Sequence, residues 1–311
     1  MTNRRVRRIA FLGVLLAALA ALPASAGAAE SLLAKNFHFF QPPSDGSGIL
    51  LTYGSDSLSM LGMHYGAYAD GTIDHLTVIL TNGERKSLIG SQYGVNLVYA
   101  LGITRYLNVG LAIPFAAYRT FNSEFRPSGS HPSSIEDMRI EAKGILFDRR
   151  RRCFGLAAVA TVTIPLTSAK NTFLSDETVG FVPRLVFDLG RQWWTVAVNV
   201  GYRLGRQTTS PVLDMKVKNE LLLSGGVTFR PAPFHELKLD AQFRTPPTPF
   251  FGDPNFNYGE AMFAYKYTFG DYSYWGITVG AGMGVLHGAG TPVARFFLGV
   301  TANENRLLLA K

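Results

Sequence analysis

The stretch Gln92-Tyr93-Gly94-Val95-Asn96-Leu97-Val98-Tyr99-Ala100-Leu101-Gly102-Ile103 reads with a period of two. Tyr93, Val95, Leu97, Tyr99, Leu101 and Ile103 make one large apolar side. Gln92, Gly94, Asn96, Val98, Ala100 and Gly102 make a small or polar one. Successive side chains of an extended chain point to opposite faces, so this is a strand between two unlike surroundings. After the short connection Thr104-Arg105-Tyr106 the pattern resumes as Leu107, Val109, Leu111, Ile113 and Phe115. Further on, Trp194, Val196, Val198, Val200 and Tyr202 alternate with Thr195, Ala197, Asn199, Gly201 and Arg203.

In several later strands the second side carries charge. Lys218, Glu220, Leu222 and Ser224 interleave with Val217, Asn219, Leu221 and Leu223; Glu236, Lys238, Asp240 and Gln242 with Leu237, Leu239 and Ala241; and Glu260 and Lys266 with Phe263, Tyr265 and Tyr267. A soluble secreted β-sandwich, a binding module in water, also alternates and is the rival architecture. Export, aromatic residues near strand ends and alternating connection lengths favour an all-β, transmembrane, antiparallel up-and-down barrel instead.

Export is read from residues 1–26: a basic start, an apolar run from Ile9 to Leu22, then Pro23-Ala24-Ser25-Ala26, which fits a cleaved signal peptide. Arg4, Arg5, Arg7 and Arg8 supply half of the formal charge of +8, which removes the case for nucleic acid as a partner. Residues 27–56 are expected to form a periplasmic or plugging segment, 57–302 the barrel and 303–311 a short periplasmic tail. About twelve strands are expected, near 57–69, 91–103, 106–118, 137–147, 153–165, 177–189, 193–204, 217–229, 235–244, 257–268, 273–282 and 293–302. Connections then alternate long and short, as the extracellular loops and periplasmic turns of outer-membrane barrels do, with both termini periplasmic. Expected partners are outer-membrane lipid, the barrel-assembly machinery and small polar solutes.

The element Phe39-Phe40-Gln41-Pro42-Pro43-Ser44-Asp45-Gly46-Ser47-Gly48 ahead of the first strand resembles the opening of the N-terminal β-barrel module of delta-proteobacterial outer-membrane proteins of the OmpA type. The resemblance continues through Leu76 to Gly83, Ser91 to Ile113, Phe154 to Pro165, Glu177 to Leu189 and Gly290 to Gly299, most of the chain after the signal. It implies a barrel, followed in that family by calcium-binding repeats and a peptidoglycan-binding domain. The given chain reaches Lys311 about nine residues after the last expected strand, so the peptidoglycan-anchoring role is not carried over. Its Leu307-Leu308-Leu309-Ala310-Lys311 end also lacks the terminal aromatic of such barrels; Phe296-Phe297-Leu298 is the substitute for assembly recognition.

Catalytic and metal chemistry finds little support. A lone Cys153 excludes an internal disulfide and a cysteine zinc cluster, and none of the six histidines pairs at i, i+4. No cofactor is expected. An outer-membrane lipid hydrolase is the enzymatic alternative, resting on His131 with Ser133 and Ser134 in one long loop. The glycines of 280–282 and 288–290 lack the strand-to-helix setting of a nucleotide site. Arg149 to Arg152 reads as a short turn facing anionic headgroups or water. The candidate site is the set of lumen-lining charges Arg139, Glu141, Lys143, Arg184, Arg203, Lys218, Glu220, Lys238, Asp240, Glu260, Lys266 and Arg295. Their mixed signs allow two uses: a paired network that fills a structural barrel, or the lining of a narrow porin-like channel.

Overall fold

The computed structural model describes residues 36–79, 84–122, 132–166, 174–176, 178–204, 208–210, 215–217, 219–248, 250–252, 254–270 and 273–304. Twelve of its strands form the wall: β1 (Met63–Ile79), β2 (Arg85–Thr104), β3 (Leu107–Phe121), β4 (Met138–Phe147), β5 (Phe154–Ile164), β6 (Gly180–Arg191), β7 (Trp194–Arg203), β8 (Glu220–Ala232), β9 (His235–Thr245), β10 (Tyr258–Phe269), β11 (Ser273–His287) and β12 (Ala294–Glu304). Each pairs antiparallel with the next, and β1 pairs with β12 from Met63↔Glu304 to Ile73↔Ala294, which closes the ring. Residues 134–135 add a short strand beside β3, and 208–210 with 215–217 make a small hairpin between β7 and β8. Among the described residues no helix is long and apolar enough to cross a membrane.

The outer surface is apolar. Tyr93, Leu97, Ile140, Leu185, Phe187, Val198, Leu239, Phe263, Val279, Phe296 and Leu298 are all exposed there, while their sequence neighbours Gln92, Asn96, Arg139, Glu141, Asp188, Asn199, Lys238, Asp240, Thr278 and Arg295 are buried. A chain that buries charge and exposes leucine is folded for lipid outside. Closure is what makes this tenable, because hydrocarbon offers no partner for the polar groups of an open sheet edge. Aromatic pairs mark the ends of the apolar zone: Trp193 with Phe229 and Phe147 with Phe154 at the short-turn end, Tyr93 with Tyr118 at the other.

Several boundaries differ from those read in the sequence. The first strand begins at Met63 and not at residue 57, and the expected long loop 70–90 is mostly strand, β1 running to Ile79 and β2 starting at Arg85. Beyond residue 69 the outward Gly71 has no side chain, and a bulge between Ile73 and Leu76, with Asp74 at positive φ, breaks the two-residue alternation. At the far end, β11 runs on to His287, and Asn303 and Glu304, expected in a tail, belong to β12. The Arg149–Arg152 run is one helical turn, capped at its start by Asp148 and ended by Cys153 in the left-handed region. The expected signal peptide 1–26 lies outside the described residues.

Residues 36–62 form no strand, yet most of them are buried. Phe37 and Phe39 pack with Leu76, Ile89 and Tyr258 towards the long-loop end; Phe40, Leu50 and Leu51 with Met262, Ala264 and Phe297; and Tyr53 with Ile145, Val159 and Val186. Leu61 bonds to the Gly102 carbonyl at the short-turn end. The segment therefore threads the lumen from the long-loop end to the short-turn end.

Candidate functional site in the lumen

The inward positions of the wall carry the polar residues, and the internal segment is tied to them from end to end. Near the long-loop end, His38 sits between two carboxylates, with Nδ1 2.8 Å from Glu136 and Nε2 3.1 Å from Asp70. Burial alone would lower its pKa, but the charges of Glu136 and Asp70 outweigh that and raise it to about 10. A cationic imidazolium donates through both ring nitrogens, which suits two carboxylate partners. Asp70 in turn accepts from Arg295 Nη1 at 2.5 Å, and Arg295 Nε donates to Glu260 at 2.7 Å. Arg295 is fully buried, and a charge so placed is tolerated only because it is paired on both sides.

In the middle, Glu141 accepts from Ser44 Oγ and from the Tyr53 hydroxyl, both at 2.7 Å, and from Arg139 Nη1 at 3.0 Å. Lys143 pairs with Asp45 and donates to Ser47 Oγ and to the carbonyls of Gly54 and Asp56. On the facing wall Asp240 accepts the consecutive backbone N–H groups of Leu50, Leu51 and Thr52, each at 3.0 Å, and the Thr52 hydroxyl at 2.9 Å. This is a backbone nest closed on a side-chain carboxylate. Lys238 donates to the Ile49 carbonyl at 2.9 Å, and Asn199 holds both backbone groups of Tyr53. Nearer the short-turn end, Asp188 accepts from Ser55 N and Oγ and from Arg149 Nε, whose Nη2 reaches Asp56 at 2.5 Å. Arg149 thus turns into the lumen and pairs with Asp188, in place of the headgroups or water expected for the arginine run. Burial raises the Asp56 carboxyl pKa in spite of Arg149 and Arg150 beside it.

Of the charges picked from sequence, Arg139, Glu141, Lys143, Lys238 and Asp240 contact the internal segment, while Glu260 and Arg295 form the buried group beneath His38. Arg203 pairs with Asp176 and with Glu220 at 3.5 Å. Arg184 and Lys266 are half-buried, Arg184 donating to Thr161. Lys218 and the hydrolase candidate His131 lie outside the described residues. Sequence reading missed Asp70, Glu136, Asp188, Arg149 and Arg244, and the segment's own His38, Asp45 and Tyr53. Asp188 and Arg244 hold inward positions on expected strands and were legible from the alternation, whereas Asp70 fell in an expected loop. The rest become site residues only through the path of the segment.

A closed barrel with an apolar exterior and a polar interior filled by its own chain defines an integral β-barrel of the outer-membrane type. No protein-family model matches the chain, and neither does any curated protein. Among solved structures it is similar to an outer-membrane channel from Pseudomonas putida F1, at TM-score 0.60 and 11% identity over 80% of this chain and 97% of that one. Looser likenesses are a NanC porin (TM-score 0.47, 10% identity, 78% of this chain and 98% of that one) and the P. putida toluene transporter TodX (0.44, 9%, 88% and 99%). At these identities the likeness is one of fold.

Proposed function

We propose that the protein is an outer-membrane channel for small polar solutes, narrowed by its own residues 36–62. One observation carries this reading: the internal segment does not seal the wall evenly. Most inward side chains of β1 to β5 are buried, but Arg184, Arg203, Ser224 and Gly226, inward on β6 to β8, keep partial exposure. That side of the lumen supports a polar path beside the segment. Purified protein in planar bilayers is expected to give steady conductance that scales with salt. Silence in that assay, with the barrel shown intact by heat-modifiable migration on gels, would leave a structural barrel as the function. The structural reading draws on the fully buried Asp70–Arg295–Glu260 set, which behaves as filling and not as lining. Absence of lipid hydrolysis by the same preparation is expected. The kinship with OmpA-type barrel modules is likewise proposed, on the opening element 39–48, whose Ser44 and Asp45 engage Glu141 and Lys143.

A further inference from the structure

Two luminal arginines stand outside the charge pairing that holds the internal segment. Arg139 and Lys143, Arg149, Arg203, Lys238 and Arg295 each lie within contact of a carboxylate. Among the described residues, Arg184 and Arg244 do not. Arg184 donates to Thr161 Oγ1 at 3.0 Å and lies 5.3 Å over the Tyr53 ring. Arg244 is only 5% exposed, lies 4.0 Å over Phe39 and 5.8 Å from the Tyr258 ring, and its buried Nε has no hydrogen-bond partner. Glu220, on the same wall, acts on Arg244 from beyond contact distance while sitting beside Arg203. A buried guanidinium without a counter-ion is costly, and aromatic faces offset only part of that cost.

Register places both arginines on one row of the barrel. Arg184 is opposite Gly201, Gly201 opposite Leu222, and Leu222 opposite Arg244. The row spans three strand spacings, about 14 Å along the wall. Because the wall curves around the lumen, inward side chains of one row converge. A Cβ on Gly201 would meet Arg184 Cγ at 2.7 Å, so the Arg184 stem lies against Gly201 on β7, while its Nη1 bonds back to Thr161 on β5. The half-buried Arg184 and Ser224 open this row to solvent. Tyr53 and Phe39, both from the internal segment, lie against the two guanidinium groups, and the Arg244 Nε is left without a hydrogen-bond partner.

We propose that Arg184 and Arg244 form an anion-binding station for a small dicarboxylate, each guanidinium taking one carboxylate through its planar fork. The proposal rests on the channel reading for how the solute reaches the row, but the binding itself is separable from conduction. The test is calorimetric titration of the full detergent-solubilised chain with succinate at low salt. The native protein is expected to bind, and Arg184→Gln and Arg244→Gln are each expected to weaken binding at least tenfold. Lack of succinate binding by the native protein, or equal affinity in both variants, overturns the station. Should Arg244→Gln fail to show heat-modifiable migration, the half-buried Arg184→Gln carries the comparison. Bilayer recordings keep the two readings apart. Conductance without succinate binding overturns the station and leaves the channel, whereas binding lost in the variants without conductance supports the station and retires the channel.

Discussion

Leu239 and Asp240 are neighbours in sequence and face opposite solvents. Leu239 is 58% exposed on the lipid side, and Asp240 is buried under three backbone N–H groups. Leu239→Arg is expected to destabilise the inserted barrel by about 2–4 kcal/mol, as a cation near the middle of the membrane does; urea unfolding from lipid vesicles measures it. Asp240→Ala strands those N–H groups in the lumen. A buried unsatisfied donor costs about 1–3 kcal/mol, so denaturation should show a loss of that order or more, with the barrel still formed. His38 supplies a pH dependence. Its pKa is raised from 6.5 to about 10 in the folded protein, so the native state binds more protons than the unfolded state between those values. Its contribution is therefore complete below pH 6.5 and is lost as the pH rises through about 10. The stability difference between native protein and His38→Gln should shrink across that range; a difference that grows would refute the ion pairs to Asp70 and Glu136.

At the scale of elements, the internal segment fits because the wall is thin where it passes. A Cβ on Gly110 would overlap Ser44 Oγ, and one on Gly155 would overlap Ser55 Oγ. Neither glycine is needed for a strand, and both weaken one by ordinary propensity; what they allow is close approach of a second chain. Gly110→Val and Gly155→Val are expected to displace the segment without opening the wall. Single-channel conductance should rise and limited proteolysis within 36–62 should speed up, while heat-modifiable migration persists. Unchanged conductance and protection would mean that the segment does not limit the path. The strands themselves were largely legible, since β2, β3, β7 and β9 alternate openly. The upper half of β1 was not, because Gly71 offers no side chain and a bulge between Ile73 and Leu76 breaks the alternation.

For the whole molecule, the pairing of β1 with β12 is the decisive contact, because it joins residues more than two hundred positions apart and removes the two edges of the wall sheet. Such closure predicts unboiled protein that runs anomalously on gels and partitions with membranes; recovery as a soluble species would contradict the apolar exterior. The charges of the wall were identifiable as inward, but whether they meet water, each other or another part of the chain is a question of distance across the lumen.

The sequence by itself determined the class of the fold and the two faces of the strands. These follow from the two-residue repeat of an extended chain and from the energetic difference between lipid and a polar interior, both local in sequence. The tertiary structure alone decided the rest. Asp240 closes on a nest formed by residues 50–52, His38 bridges Asp70 and Glu136, and Arg184 and Arg244 are left over. The residues of these contacts lie about thirty to nearly two hundred positions apart in the chain. A segment without strand periodicity, such as 36–62, carries no local signal of where it runs. Its place is set only when a closed wall presents carboxylates and glycines at matching heights.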